Sequence, residues 1–262
     1  MTVHAPARYL LLGILLLAVA SFFSETLRSA YEIVSLSLFP DAERAHALGE
    51  RHFSSKDPGA YNIDLADYFF RRALELDPTL PFVYRERARI AFLRGDYAAA
   101  LHAIDLQIDK HGEAAPNAYY IRALIKGFMG DYTGAKADYE RYLVQDPYSW
   151  AAINDYTWVL LKSGAHAQAL VVTEAGLRFF PDNAWLLNSA AIASFESGER
   201  EAALAYALRA RDAAAKLRDE DWLIAYPGND PKIASDGMRA LRESIDANIH
   251  SIRNATTSPA VE

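Results

Sequence analysis

Seven histidines, 34 aspartates and glutamates and no cysteine set the chemistry open to this 262-residue chain. His46 and His52 stand six apart, on different faces of a helix, whereas a metal-binding helix places its pair four apart. His102, His111, His166 and His250 have no clustered acidic or histidine partners at ligand spacing. The missing cysteine removes disulfides, thiolate metal sites and cysteine nucleophiles together. No glycine-rich loop that could cradle a phosphate occurs, and no G-x-S-x-G elbow is present. The many carboxylates fall where helices would turn them to solvent. The expectation is a protein that is not an enzyme, with no catalytic residue, no metal and no cofactor. A net charge of −7 and a pI of about 5.5 argue against nucleic acid as a partner, because phosphate binding needs a basic face.

With chemistry set aside, the amino terminus is the first element to place. "YLLLGILLLAVASFF", Tyr9 to Phe23, lies in an uncharged stretch between Arg8 and Glu25. A membrane helix takes roughly 17–25 apolar residues, so residues 9–24 are short but usable as an anchor. A cleaved signal peptide is the competing reading, since Ala18-Val19-Ala20 has the small-x-small form of a cleavage site. A buried helix is the third. The anchor is preferred because the apolar run continues through Phe22 and Phe23. Arg8 precedes the span, while Glu25, Glu32, Asp41 and Glu43 follow it. Positive-inside bias then puts the bulk of the chain on the extracytoplasmic side of a single-pass membrane protein.

The rest of the chain repeats. Ala66, Ala100, Ala135, Ala169 and Ala203 follow one another at steps of 34, 35, 34 and 34 residues. Gly95, Gly130, Gly164 and Gly198 each stand five before the last four of these alanines. Pro78, Pro147 and Pro181 each stand twelve after theirs. A glycine between two helices supplies a left-handed turn, a small alanine lets paired helices approach, and a proline ends the pair. One such pair cannot bury its apolar stripe alone, so successive pairs must stack.

This pattern resembles the tetratricopeptide repeat (TPR), a helix–turn–helix of 34 residues. Unit three carries it best, with Tyr119, Arg122-Ala123, "GDY" at 130–132, Ala135, Tyr139, Leu143 and Pro147. Unit two has Tyr84, Ala88, "GDY" at 95–97, Ala100 and Ile104. Units four and five are degenerate, with Thr173 and Ala207 where the family prefers an aromatic. Unit one has Leu48-Gly49, a longer connection "SSKDPGAYN", and then Ala66, Phe70, Ala73 and Pro78. The resemblance implies an all-α, right-handed solenoid of about five units, in which Phe70 and Tyr139 fill gaps against the following unit. The domain plan is then a short tail (1–8), an anchor or signal peptide (9–24) and a juxtamembrane helix or linker (25–42). Repeats follow at 43–80, 81–115, 116–149, 150–183 and 184–217. The chain ends in a loop and capping helix (218–252) and a disordered tail (253–262). Met238, Leu241, Ile245, Ile249 and Ile252 form the apolar face of that helix, with Trp222 and Tyr226 packed under it.

In the family the first helix of each unit lines a concave surface that holds ligands. Carried onto this chain, that surface takes Arg85, Arg89, Phe92, Tyr120, Phe128, Asn154, Trp158, Trp185, Asn188 and Phe195, with Leu124, Asp155 and Ile192 nearby. Leu124 and Ile192 can equally pack between repeats. Some members clamp a carboxylate terminus with a Lys/Asn/Asn/Lys/Arg set. Here Arg85, Arg89, Ile121, Ala151 and Asp155 hold those places, so the lining fits an apolar segment better. Arg122 and Asp138 are expected to face each other within unit three, with Asp105 a candidate partner for Arg87. The resemblance thus implies a membrane-anchored scaffold that binds another protein in its groove, in envelope assembly or secretion. The alternatives are a self-oligomerising spacer whose own tail or juxtamembrane segment fills the groove, and a glycan-handling protein using its tryptophans.

Overall fold

The computed structural model describes residues 24–112, 115 and 117–255, and among these every regular element is helical. The candidate anchor, residues 9–24, lies outside them except for Ser24, where the first described helix begins. No helix among the described residues is long and apolar enough to cross a membrane. The chain divides into two compact units, one ending at Val83 and the other beginning at Tyr84.

The first unit holds α1 (24–38), α2 (Ala42–Phe53) and α3 (Ile63–Leu76). Asp41 caps α2 and Asn62 caps α3 by accepting bonds from first-turn amides. Ala45, Gly49 and Phe53 pack with Ala66, Phe69, Phe70 and Ala73. At Gly49 a Cβ would stand 2.5 Å from the Phe70 ring, so the glycine is what lets the two helices meet. Phe70 therefore fills the crossing of its own pair. His52 is buried as well, with Nδ1 2.8 Å from the Ala60 carbonyl oxygen and Nε2 2.8 Å from Glu32 Oε2. Arg51 donates to Glu32 and Glu25, so charge and hydrogen bonding fasten α1 to α2. The opposite face of α1 presents Leu27, Tyr31, Val34 and Leu38 to solvent, each more than half exposed.

The second unit stacks helix pairs: α4 (Val83–Leu93) with α5 (Tyr97–His111), and α6 (Asn117–Met129) with α7 (Tyr132–Gln145). Two further pairs follow, α8 (Trp150–Lys162) with α9 (His166–Leu177), and α10 (Ala184–Glu196) with α11 (Arg200–Ala214). Gly95, Gly130, Gly164 and Gly198 take φ of 75°, 83°, 79° and 83°, the left-handed turn their spacing predicts. In the "GDY" units the next residue, Asp96 or Asp131, caps the second helix through its carboxylate. Ala165 and Glu199 stand there in the later units and make no such bond. Ala135 is fully buried at a helix crossing, and Tyr139 stacks on Tyr156 of the next pair at 5.8 Å. Thr173, where an aromatic is usual, is buried and bonded to Thr157 at 2.8 Å, so a hydrogen bond replaces ring packing in that pair.

Arg122 and Asp138 meet as expected, through Nε at 2.8 Å and Nη2 at 2.7 Å. Lys126 adds a third bond to the same carboxylate at 2.7 Å. Asp105, weighed as a partner for Arg87, accepts from Arg122 Nη1 at 3.0 Å.

After α11 come α12 (Asp219–Ala225), a 3-10 turn (Pro231–Ile233) and α13 (Ala234–Asn254). Helix α13 continues to Asn254, two residues into the segment expected to be disordered. Its Ile245, Ile249 and Ile252 share one core with Leu187, Ala203, Ala207 and Ala210. Trp222 is buried beneath α13 beside Met238, and Gly237 leaves room for its indole. Arg242 of α13 donates to the Ala214 and Leu217 carbonyls at the end of α11. Arg200 of α11 donates to the Ile252 and Arg253 carbonyls at the end of α13. Each helix thus has carbonyls at its carboxyl end bonded by an arginine of the other.

Candidate functional site

Repeat geometry turns the first helices of the second unit toward a common face. There they wall a cavity of about 630 Å³, which lies within the size range of ligand sites. Helices α4, α6, α8 and α10 supply one side. The other is built by α12, the segment Tyr226–Asn229 and α13. Eight of the ten residues expected on this face line the cavity: Arg89, Phe92, Tyr120, Phe128, Asn154, Trp158, Trp185 and Asn188. Leu124, Asp155 and Ile192 line it as well. Two do not. Arg85 bonds the neighbouring Glu86 through Nε and Nη2, and Phe195 packs against the core shared by α10, α11 and α13.

Eight of the lining residues are aromatic. Phe92, Phe128 and Trp158 form a run with centroid spacings of 5.0 and 5.1 Å. A second run goes from Trp150 to Trp185, Tyr226 and Trp222 at 5.1, 6.4 and 5.2 Å. Trp158 packs on α6, where a Cβ on Gly127 would stand 2.9 Å from its ring, so the indole has a packing role as well as an open edge. Trp185 is 7% exposed and belongs chiefly to the core, which corrects its placement as an open groove residue.

Polar groups converge on one point of this apolar surface. Tyr120 donates to Asp155 Oδ2 at 2.7 Å, Asn154 Nδ2 to Asp155 Oδ1 at 3.3 Å, and Ser189 to Asn154 Oδ1 at 2.8 Å. Asp155 opens on the cavity but has protein on every other side. Loss of hydration lifts its carboxyl to about 6, against the pull of the bonds from Tyr120 and Asn154. Burial, with the Asp155 charge adding to it, pushes the Tyr120, Tyr139 and Tyr226 hydroxyls up. Asn188, expected to hold a peptide backbone together with Asn154, accepts from Asn248 of α13 at 2.9 Å. Both amides already have partners inside the chain.

Sequence reasoning missed the second wall. Trp222 and Tyr226 are read there as packing under a cap. Trp222 is, but both also face the cavity, and Pro227, Asn229, Leu241 and Ser244 join them. The aromatic, turn-rich string "DWLIAYPGNDP" is the one signal of it. Among the described residues no group of three or more His, Asp or Glu side chains could hold a metal ion.

No protein-family model matches the sequence, and no curated protein matches it as a relative. Solved structures do. YrrB, a TPR protein with an unusual peptide-binding site, matches at 17% identity over 71% of this chain and 93% of its own, with a TM-score of 0.56. PilW, a type IV pilus biogenesis factor, matches at 14% identity over 82% and 95%, with a TM-score of 0.59. A tetratricopeptide repeat protein from Parabacteroides merdae matches at 15% identity over 86% and 91%, also at 0.59. At such identities the likeness concerns the fold. The chain has the fold of tetratricopeptide repeat proteins.

Proposed function

We propose that this protein is a membrane-anchored interaction scaffold that seats a segment of a partner protein in the aromatic cavity of its second unit. The carrying observation is the convergence of eight aromatic side chains and one polar cluster on the face made by successive first helices. Buried aromatics of this kind dominate binding energy in protein interfaces. The peptide-binding site named for YrrB supports the same use of the fold. The hydroxyls nearest Asp155, those of Tyr120 and Ser189, are engaged in hydrogen bonds within the polar cluster, which suits a binding face.

Anchoring by residues 9–24, with the repeats on the extracytoplasmic side, is part of the proposal. Its support is the uncharged run itself and the exposed apolar stripe of α1 that follows directly, Leu27, Tyr31, Val34 and Leu38. The process served is envelope assembly or secretion, in keeping with the pilus role named for PilW.

Two measurements test the reading. Capture from detergent-solubilised membranes is compared between the parent chain and Ala151→Trp, which fills the cavity from α8. A partner lost on filling supports the site, and the same partner retained refutes it. Membrane pellets are then extracted with carbonate. Retention with an intact amino terminus supports the anchor, and a soluble chain beginning at Ser21 refutes it.

A further inference from the structure

Among the described residues, Asp155 and Arg89 are the only charged ones lining the cavity. The Arg89 guanidinium is engaged at its rim by Glu86 and by the Pro227 carbonyl. Asp155 has no ion pair among the described residues. The hydrogen bonds it accepts come from neutral donors, the Tyr120 hydroxyl and the Asn154 amide, one on each oxygen. An ionised carboxylate can accept about four bonds, so acceptor capacity remains on both oxygens. A carboxylate partly withdrawn from water with no counter-charge carries a cost, and a cation delivered to it lessens that cost. The surroundings suit a cation too. Tyr120, Trp158, Trp185, Trp222 and Tyr226 line the same space, and aromatic faces attract alkylammonium groups.

We infer that the partner segment carries a lysine, whose ammonium seats on Asp155 while its methylene stem lies along the aromatic wall. This rests on the reading of the cavity as the partner's seat. Lysine is favoured over arginine on donor counting. A guanidinium brings five N–H donors in a rigid plane and an ammonium three that rotate, while the one anionic acceptor in the lining, Asp155, already takes one bond on each oxygen. The stem matters equally, because four methylenes match the rings better than water does.

The probes are an acetylated, amidated Leu-Lys-Leu peptide, its norleucine twin and n-butylammonium, titrated into the full chain and followed by tryptophan fluorescence. The lysine peptide should bind at least about tenfold more tightly than the norleucine peptide. Asp155→Asn should abolish that preference, with circular dichroism confirming the fold. Asp212→Asn removes the same unit charge from an exposed site on α11 and should leave the preference in place. Equal binding of the two peptides by the parent chain overturns the lysine assignment while the cavity stands as a peptide seat. A lysine preference that survives in Asp155→Asn overturns it also. Absence of binding by both peptides and by n-butylammonium removes the assignment, and if Ala151→Trp also leaves partner capture intact, the reading beneath it falls too.

Discussion

Arg89 donates through Nη2 to the Pro227 carbonyl oxygen at 2.7 Å, joining residues 138 positions apart in the chain. The bond ties α4 to the segment that walls the far side of the cavity. Within that segment Tyr226 packs against Trp185 and Trp222 and is 39% exposed. Arg89→Ala should therefore free residues 226–230 locally. Their amide exchange should quicken by about tenfold, while global stability changes by less than about 1 kcal/mol. Unchanged exchange there would mean that the ring contacts alone hold the wall.

The carboxyl of Asp155 titrates at about 6 in the fold, against an ordinary aspartate value of 3.8. Between those values the folded chain holds more proton than the unfolded chain, so stability falls as pH rises through that window. Asp155→Asn should then stabilise the unliganded protein by about 2–3 kcal/mol at pH 7. The gain should shrink below pH 6 and vanish near pH 4. Denaturant melts at pH 7 and pH 4 check it, and a variant less stable than the parent at pH 7 would contradict the desolvation argument.

Asp138 serves two cations, so its loss and the loss of one cation should differ. Asp138→Ala strands Lys126, leaves Arg122 with Asp105 alone, and should cost about 2–4 kcal/mol. Arg122→Ala leaves Lys126 on the carboxylate and should cost about half as much. Equal costs in urea melts would show that Lys126 contributes nothing.

Gly49→Ala should destabilise the first unit by about 1–3 kcal/mol, since the new methyl meets the Phe70 ring. Adding Phe70→Leu should recover part of the loss. Additive losses would place the strain elsewhere.

The periodic part of the fold is legible because each repeat solves the same local problem. Gly95, Gly130, Gly164 and Gly198 need left-handed backbone, and that need shows as composition at fixed spacing. The inner face is legible for the same reason, since the residues of successive first helices that face inward share one register. What lies outside the period does not show. Pro227 meets Arg89 through no repeat, and Tyr226 reads as cap packing until α12 and α13 are placed. Nothing local to position 155 reveals the Tyr120 hydroxyl one repeat earlier, so the sequence alone does not mark Asp155 as the polar centre of the cavity. Trp185 carries an inward register but is claimed by Trp150 and the α10 core, which spacing alone does not weigh.

Helix α13 also decides how long the array can become. A column of stacked pairs ends in a sticky layer, the last second helix, onto which a further pair or another molecule could add. Here that layer is α11, and Ile245, Ile249 and Ile252 already occupy its apolar face. Its terminal carbonyls are taken by Arg242, and those of the covering helix by Arg200. Head-to-tail growth from this end would need α13 to leave, exposing that core and both sets of acceptors at once. In polymer terms the chain carries its own terminator, and self-association has to proceed through a surface other than the α11 face that α13 covers.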